Sequence, residues 1–173
     1  DALMSRGLGD VYKRQVALLD SKRALAVGDD GVVLAIDGTQ VSRMPRLDAR
    51  RLNDVSVDSR TKNAFVVGTD GSVFRSDKTG WIQESKVPEL ELRAVIVSRA
   101  GTFAGGDRGT LLKRSASGTW APIKLSTQAA VVALARDGVG GVLASDANGG
   151  LWHLSDQYAE WRRLEAPGLG RVM

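Results

Sequence analysis

Apolar and polar positions alternate with a period of two in short runs along most of the chain, and no run keeps the three-and-four spacing of a sustained helical stripe. The segment 52–92 shows the pattern most clearly. LNDVSV (52–57) alternates, NAFVVG (63–68) is rich in strand formers, SVFRS (72–76) alternates again, and GWIQES (80–85) carries a tryptophan; turn residues follow each run. These are four short strands. Matching first strands are VALLD (16–20), RAVIVS (93–98) and VVALAR (131–136).

The unit repeats. AVGDDGVVL (26–34) returns as VVGTDGSVF (66–74), as AGGDRGTLL (104–112) and, more loosely, as ASDANGGLW (144–152). With the second glycine as anchor, Gly31, Gly71, Gly109 and Gly149 are spaced by 40, 38 and 40 residues. A period of this size, carried by short strands, predicts an all-β fold of four-stranded β-propeller blades. The units run over 16–51, 52–92, 93–130 and 131–167, and 168–173 stands where a fifth would begin. Such rings close with about four to eight blades. The chain therefore reads as about four blades of a larger ring, with open blade faces through which it would self-associate, and a complete four-bladed ring is the alternative.

The punctuation of the repeat carries the structural expectations. Gly28, Gly31, Gly68, Gly71, Gly106, Gly109 and Gly149 fall between second and third strands and are read as turn geometry, with the Asp-Gly and Asn-Gly pairs supplying positive φ. A phosphate-cradling loop would need Lys-Ser/Thr and a helix after the glycines, and neither follows. Trp81, Trp120 and Trp161 lie 10, 11 and 12 residues after their anchors, in predicted fourth strands. Their recurrence assigns them to packing between neighbouring sheets, with a sugar-stacking platform as the alternative. Pro45, Pro88, Pro122 and Pro167 are all expected in crossings between units, where a missing N–H costs no ladder bond.

Composition then narrows the chemistry. The 173 residues hold no cysteine and one histidine, His153, which removes disulfide frameworks, thiol nucleophiles and most metal sites. Asp29 with Asp30, and Asp146 with Asn148, supply too few oxygens for calcium, which takes roughly six to eight. No cofactor or metal is assigned. A net charge of +4, dispersed along the chain, is no nucleic-acid footprint. No stretch approaches the roughly 18 apolar residues of a membrane-spanning helix. The densest charge is RMPRLDARR (43–51), which places Arg43, Arg46, Arg50 and Arg51 in the crossing between the first two units. Two readings stand for it: a solvated loop partly neutralised by Asp48 and Asp54, or a docking site for a protein partner, since blade-end loops carry most propeller binding.

Two resemblances complete the reading. Residues 5–15, SRGLGDVYKRQ, resemble a translated sequencing adapter, so 1–15 are set aside as non-native and the N-terminus gives no address; the remainder holds 21 basic and 18 acidic residues. Within the repeats, Arg75-Ser76-Asp77-Lys78-Thr79-Gly80-Trp81 resembles the Ser-x-Asp-x-Gly-x-x-Trp box of the bacterial neuraminidase (Asp-box) repeat, with two residues fewer before Trp81. The third copy, Arg114 to Trp120, lacks the aspartate, the fourth, Leu154 to Trp161, lacks the glycine, and the first, Ile36-Asp37-Gly38, lacks the tryptophan. Among Asp-box propellers, the AVGDDGVVL hairpin with a first strand such as LNDVSV resembles the photosystem II assembly and stability factor family and its bacterial relatives. That resemblance implies a non-catalytic binding or assembly platform, periplasmic or extracellular, whose box Asp and Ser stabilise turns. Sialidases share the blade but require an arginine triad, a Tyr/Glu nucleophile pair and an acid/base Asp at the ring centre. Here the one tyrosine after residue 15, Tyr158 near Glu160, falls at a blade edge. A sialidase-like glycoside hydrolase and a ligand-sensing ectodomain of a signalling protein remain the alternatives. A WD-repeat scaffold is not indicated, since neither its Gly-His start nor its Trp-Asp ending occurs in these units.

Overall fold

The structure, a computed structural model, describes residues 12–155 and 160–165. The described residues form sixteen strands and no helix. They build four sheets, each an antiparallel meander of four consecutive strands. Blade 1 is β1 (Lys13–Leu18), β2 (Arg23–Gly28), β3 (Val33–Asp37) and β4 (Gln40–Arg43); blade 2 is β5 (Leu52–Val57), β6 (Ala64–Gly68), β7 (Val73–Asp77) and β8 (Gly80–Ser85). Blade 3 is β9 (Leu92–Ser98), β10 (Gly101–Gly106), β11 (Leu111–Arg114) and β12 (Trp120–Ile123); blade 4 is β13 (Val131–Arg136), β14 (Val142–Asp146), β15 (Leu151–Leu154) and β16 (Trp161–Arg163). The first strand of each blade is innermost: β1 packs on β5, β5 on β9 and β9 on β13, and no comparable packing joins β13 to β1 among the described residues. These four inner strands run the same way along a central channel. Each begins at one mouth, here called the entry mouth, and ends at the exit mouth, about 20 Å away for a six-residue strand.

The core lies between blades, because alternation gives each sheet an apolar face that only its neighbour covers. Leu25, Val27 and Val33 of blade 1 meet Leu52, Val55, Val66 and Phe74 of blade 2; Phe65, Val67 and Val73 meet Leu92, Val95, Ala104 and Leu112; Phe103 and Leu111 meet Val131, Val142, Trp152 and Leu154. Ala26, Val32 and Leu34 form a separate small cluster on the other face of blade 1. Val16 and Leu18 of β1 and Val132 and Leu151 of blade 4 are exposed.

Two boundaries differ from those expected. β1 starts at Lys13 rather than Val16, because Lys13 pairs with Gly28 and the Asp29 N–H reaches the Tyr12 carbonyl at 2.9 Å. Pro122 lies within β12, opposite Leu112, rather than in a crossing. The fourth strand is an edge, so its outer side needs no N–H. Pro45 and Pro88 do fall in crossings. Pro167, Tyr158, residues 168–173 and most of the adapter-like stretch lie outside the described residues.

Trp81, Trp120 and Trp161 sit in the fourth strands of blades 2, 3 and 4, each packed on the cluster shared with the preceding blade. Trp120 meets Phe65 edge-to-face at 6.5 Å, and Trp161 meets Phe103 likewise at 5.6 Å. Their polar ends differ. The Trp120 Nε1–H donates to Glu84 at 3.1 Å, whereas the buried Nε1 atoms of Trp81 and Trp161 have no hydrogen-bond partner among the described residues. Trp81→Phe is therefore expected to cost under about 1 kcal/mol, and Trp120→Phe about 1–2 kcal/mol more, since it strips a donor from a buried carboxylate. Urea denaturation of the two variants distinguishes them; equal losses would refute the difference.

Candidate functional site at the entry mouth

Each inner strand carries a β-bulge one residue from its start. The register skips Arg14 between Lys13 and Gln15, Asn53 between Leu52 and Asp54, Arg93 beside Leu92, and Val132 between Val131 and Ala133. A bulged residue leaves the ladder and its side chain is re-aimed. Here all four bulged residues, joined by Arg51 and Glu91, line one cavity of about 430 Å³ at the entry mouth.

The first glycine of each Gly-x-x-Gly hairpin makes room for the bulge. A Cβ on Gly28 would lie 1.9 Å from the Tyr12 carbonyl oxygen, one on Gly68 2.0 Å from that of Arg51, and one on Gly106 2.3 Å from that of Glu91. The same carbonyls accept the N–H groups of Asp29, Thr69 and Asp107 at 2.9, 3.1 and 3.0 Å. Gly28, Gly68 and Gly106 are thus close-approach residues rather than turn residues. Turn geometry belongs to Gly31, Gly71, Gly109 and Gly149, with φ of 65°, 56°, 67° and 82°. In blade 4 Asp146 replaces the first glycine, and its Oδ1 accepts the N–H groups of Asn148 and Gly150 while Oδ2 accepts the Thr127 hydroxyl. The Thr127 hydrogen bond heads the interactions that hold the Asp146 carboxyl below its ordinary value.

The lining is charge-paired. Glu91 Oε1 accepts from Arg51 Nη2 at 2.9 Å and Asn53 Nδ2 at 3.2 Å, and Arg93 Nη2 approaches Oε2 at 3.7 Å. Arg93 Nε donates to Asp107 at 2.7 Å, and Arg14 Nε donates to Asp29. These hydrogen bonds raise the pKa of both guanidiniums. Deeper in the channel, burial pushes the Asp54 carboxyl up, although it accepts the N–H groups of Val95 and Val55.

The arginine-rich crossing flanks this mouth, and its four cations separate into two kinds. Arg51 is held by Glu91, by a Thr69 hydroxyl accepting its backbone N–H at 3.3 Å, and by its carbonyl bond from Thr69. Arg50 reaches Asp70 only at 3.8 Å with its side chain 80% exposed. Arg43 and Arg46 are exposed and have no ion-pair partner among the described residues. Neither carboxylate expected to neutralise the loop does so: Asp48 pairs with Lys86 at 2.9 Å and Asp54 points into the channel to Val95. Between the arginines, buried Leu47 anchors the crossing, and its N–H donates to the Gly31 carbonyl at 2.9 Å. The crossing thus presents Arg43, Arg46 and Arg50 from a fixed backbone beside the bulge-lined cavity. Arg14, Asn53, Glu91 and Arg93 were not picked out by sequence motif. They form no sequence motif, and only aligning the four repeats column by column places them at one level.

No protein-family model and no curated protein matches the chain. Solved structures do. "YCF48 bound to D1 peptide" superposes with a TM-score of 0.66 at 17% identity over 88% of this chain, and YCF48 from Cyanidioschyzon merolae with 0.62 at 18% over 89%. The nidogen/laminin complex gives 0.73 at 12% over 89%. The chain spans 54%, 56% and 65% of those three structures, respectively. Together with the four meander sheets these likenesses establish a β-propeller.

Proposed function

We propose that this propeller is a non-catalytic binding or assembly platform that captures a protein partner at its entry mouth through Arg43, Arg46 and Arg50. The observation that carries the reading is a set of exposed cations, paired among the described residues only by Arg50 to Asp70 at 3.8 Å, on a crossing pinned by Leu47 beside a cavity that four bulged residues help to line. Rigid presentation lowers the ordering cost of binding, and exposed guanidiniums pair bidentately with partner carboxylates. Support comes also from the sequence resemblance to the photosystem II assembly factor family, and from a similar fold solved with a bound peptide. We assign the β7–β8 and β11–β12 turns to the Asp-box type. Asp77 Oδ1 accepts the Thr79 N–H at 2.7 Å, Ser76 Oγ accepts the Ala64 N–H at 2.8 Å, and Ser115 Oγ accepts the Thr119 N–H at 3.1 Å.

The test is the triple variant Arg43→Ser, Arg46→Ser and Arg50→Ser, with Arg51 retained because it bonds Glu91. Its stability is expected within about 0.5 kcal/mol of the parent, as for surface changes generally. Capture of partner from an extract of the source cells, compared at matched salt, is expected to fall at least about tenfold, the equivalent of 1.4 kcal/mol. Equal capture by a folded triple variant overturns the assignment.

A further inference from the structure

We infer that the exit mouth holds a second binding site, for a small molecule carrying a compact oxyanion such as a phosphate ester or a carboxylate. The loops 58–62, 98–101 and 136–141, which follow three inner strands, enclose a cleft of about 420 Å³ lined by Asp58, Ser59, Arg60, Ser98, Arg99 and Arg136, with Gly138 to Gly140 forming one wall. Ser59 and Arg136 also line an adjoining cavity, together with Lys62, Leu18, Val55 and Ile96. Three arginines thus line the cleft with one carboxylate, and Lys62 lines the adjoining cavity. The volume falls within the range of small-ligand sites.

The cations are placed and left under-used. Arg136 of β13 spans three blades: its Nε donates to the Val97 carbonyl at 2.7 Å and its Nη2 to the Val57 carbonyl at 3.3 Å. Both partners are neutral, so the guanidinium is oriented without being discharged, and its remaining N–H groups are available. Arg99 makes no side-chain hydrogen bond or ion pair among the described residues, and its stem lies against Gly140, where a Cβ would come within 2.8 Å of Cδ. Gly140, at φ 116°, is the residue that lets the 98–101 and 136–141 loops interlock, with Ala100 N–H donating to the Gly140 carbonyl at 3.0 Å. Arg60 reaches Asp58 only at 3.8 Å with its side chain 86% exposed. The nearby carboxylates are occupied: Asp58 accepts the Arg60 backbone N–H, and Asp137 accepts His153 Nε2 together with the N–H groups of Val139, Gly140 and Gly141. The oriented guanidinium of Arg136, with spare N–H groups on Arg60 and Arg99 beside it, suits a planar or tetrahedral oxyanion, and repulsion among the three is relieved when one enters.

The experiment titrates the full chain with inorganic phosphate and, separately, with succinate, by calorimetry at low ionic strength, with chloride at matched ionic strength as control. Saturable one-to-one binding is expected for at least one oxyanion and not for chloride. Phosphate alone points to a phosphate ester, succinate alone to a carboxylate. Arg99→Gln, which removes no side-chain hydrogen bond or ion pair among the described residues, is expected to weaken binding at least about tenfold, and Arg60→Gln several-fold. Arg46→Gln at the opposite mouth is expected to leave it unchanged, which separates this site from the partner surface. No saturable heat with either oxyanion, or equal affinity in Arg99→Gln and the parent, overturns the proposal.

Discussion

Gly68→Ala is expected to destabilise the protein by about 3 kcal/mol, near the upper end for overpacking, and to lower its melting temperature by roughly 10 °C for a chain of this size. The reason is backbone, not side chain. The new methyl would lie 2.0 Å from the Arg51 carbonyl oxygen and 3.2 Å from Leu52 Cα, at the point where the bulge at Asn53 begins. Relief requires the Arg51–Leu52 segment to retreat, which breaks the Thr69 N–H bond to Arg51 and lifts fully buried Leu52 from the blade 1–blade 2 core. Asn53 would move with it, and so would its bonds to Glu91 and the Leu92 carbonyl. Gly38→Ala is the control. Unlike Gly68, it has a left-handed φ, 59°, but nothing lies within 4 Å of its Cβ position, so about 1–2 kcal/mol of conformational strain is the whole expected cost. If the two variants lose the same stability, the close-approach account of the first glycine fails.

That contrast also shows what was legible in the sequence and what was not. Strands β5, β8 and β13 coincide with the runs 52–57, 80–85 and 131–136, where patterning is clean and turn residues bound each end. β1 shifts because KRQVAL is almost wholly exposed and carries no apolar face to mark it; pairing with Gly28 alone sets its start. The glycines were visible, but Gly28 and Gly31 look alike in a string of letters. Gly28 tolerates no Cβ because the Tyr12 carbonyl closes on it, whereas Gly31 combines a positive φ with the Leu47 carbonyl oxygen 2.0 Å from its Cβ position. Charge density at 43–51 was equally plain, whereas its pairing was not, since Glu91 belongs to the next repeat, 40 residues from Arg51. The exit-mouth arginines are harder still. Arg60, Arg99 and Arg136 occupy nearly equivalent loops of successive blades, and only the propeller's radial arrangement brings them into one cleft.

Glu84→Gln is expected to cost about 3 kcal/mol at neutral pH, with the loss shrinking as the solution is acidified. Glu84 lies in β8 with its side chain 6% exposed, and it joins blades 2 and 3. Its carboxylate accepts Arg75 Nε at 2.8 Å, Arg114 Nε and Nη2 each at 2.7 Å, and Trp120 Nε1 at 3.1 Å. Removing the charge leaves Arg114, 19% exposed, without an ion-pair partner among the described residues and Arg75, 21% exposed, with Asp77 alone at 3.5 Å, and the cost of breaking such a buried cluster is set by the partner left behind. The pH dependence follows from the carboxyl itself. Burial pushes Glu84 up, but hydrogen bonds from Arg114, Arg75 and Trp120 more than reverse this and hold it below its ordinary value of 4.5. A group lowered on folding contributes stability that is complete above its unfolded value and is lost as pH falls through the folded one. The parent and Glu84→Gln should therefore differ most from neutrality down to about pH 5 and converge at lower pH. Asp20, held at about 2 first by the Lys22 backbone N–H, also steepens the acid limb. It is present in both proteins, as is Asp54 with its opposite shift, so their contributions cancel in the difference. Urea midpoints across this range measure that difference directly, and a gap that stays constant into acid would show that the Glu84 charge does not hold blades 2 and 3 together.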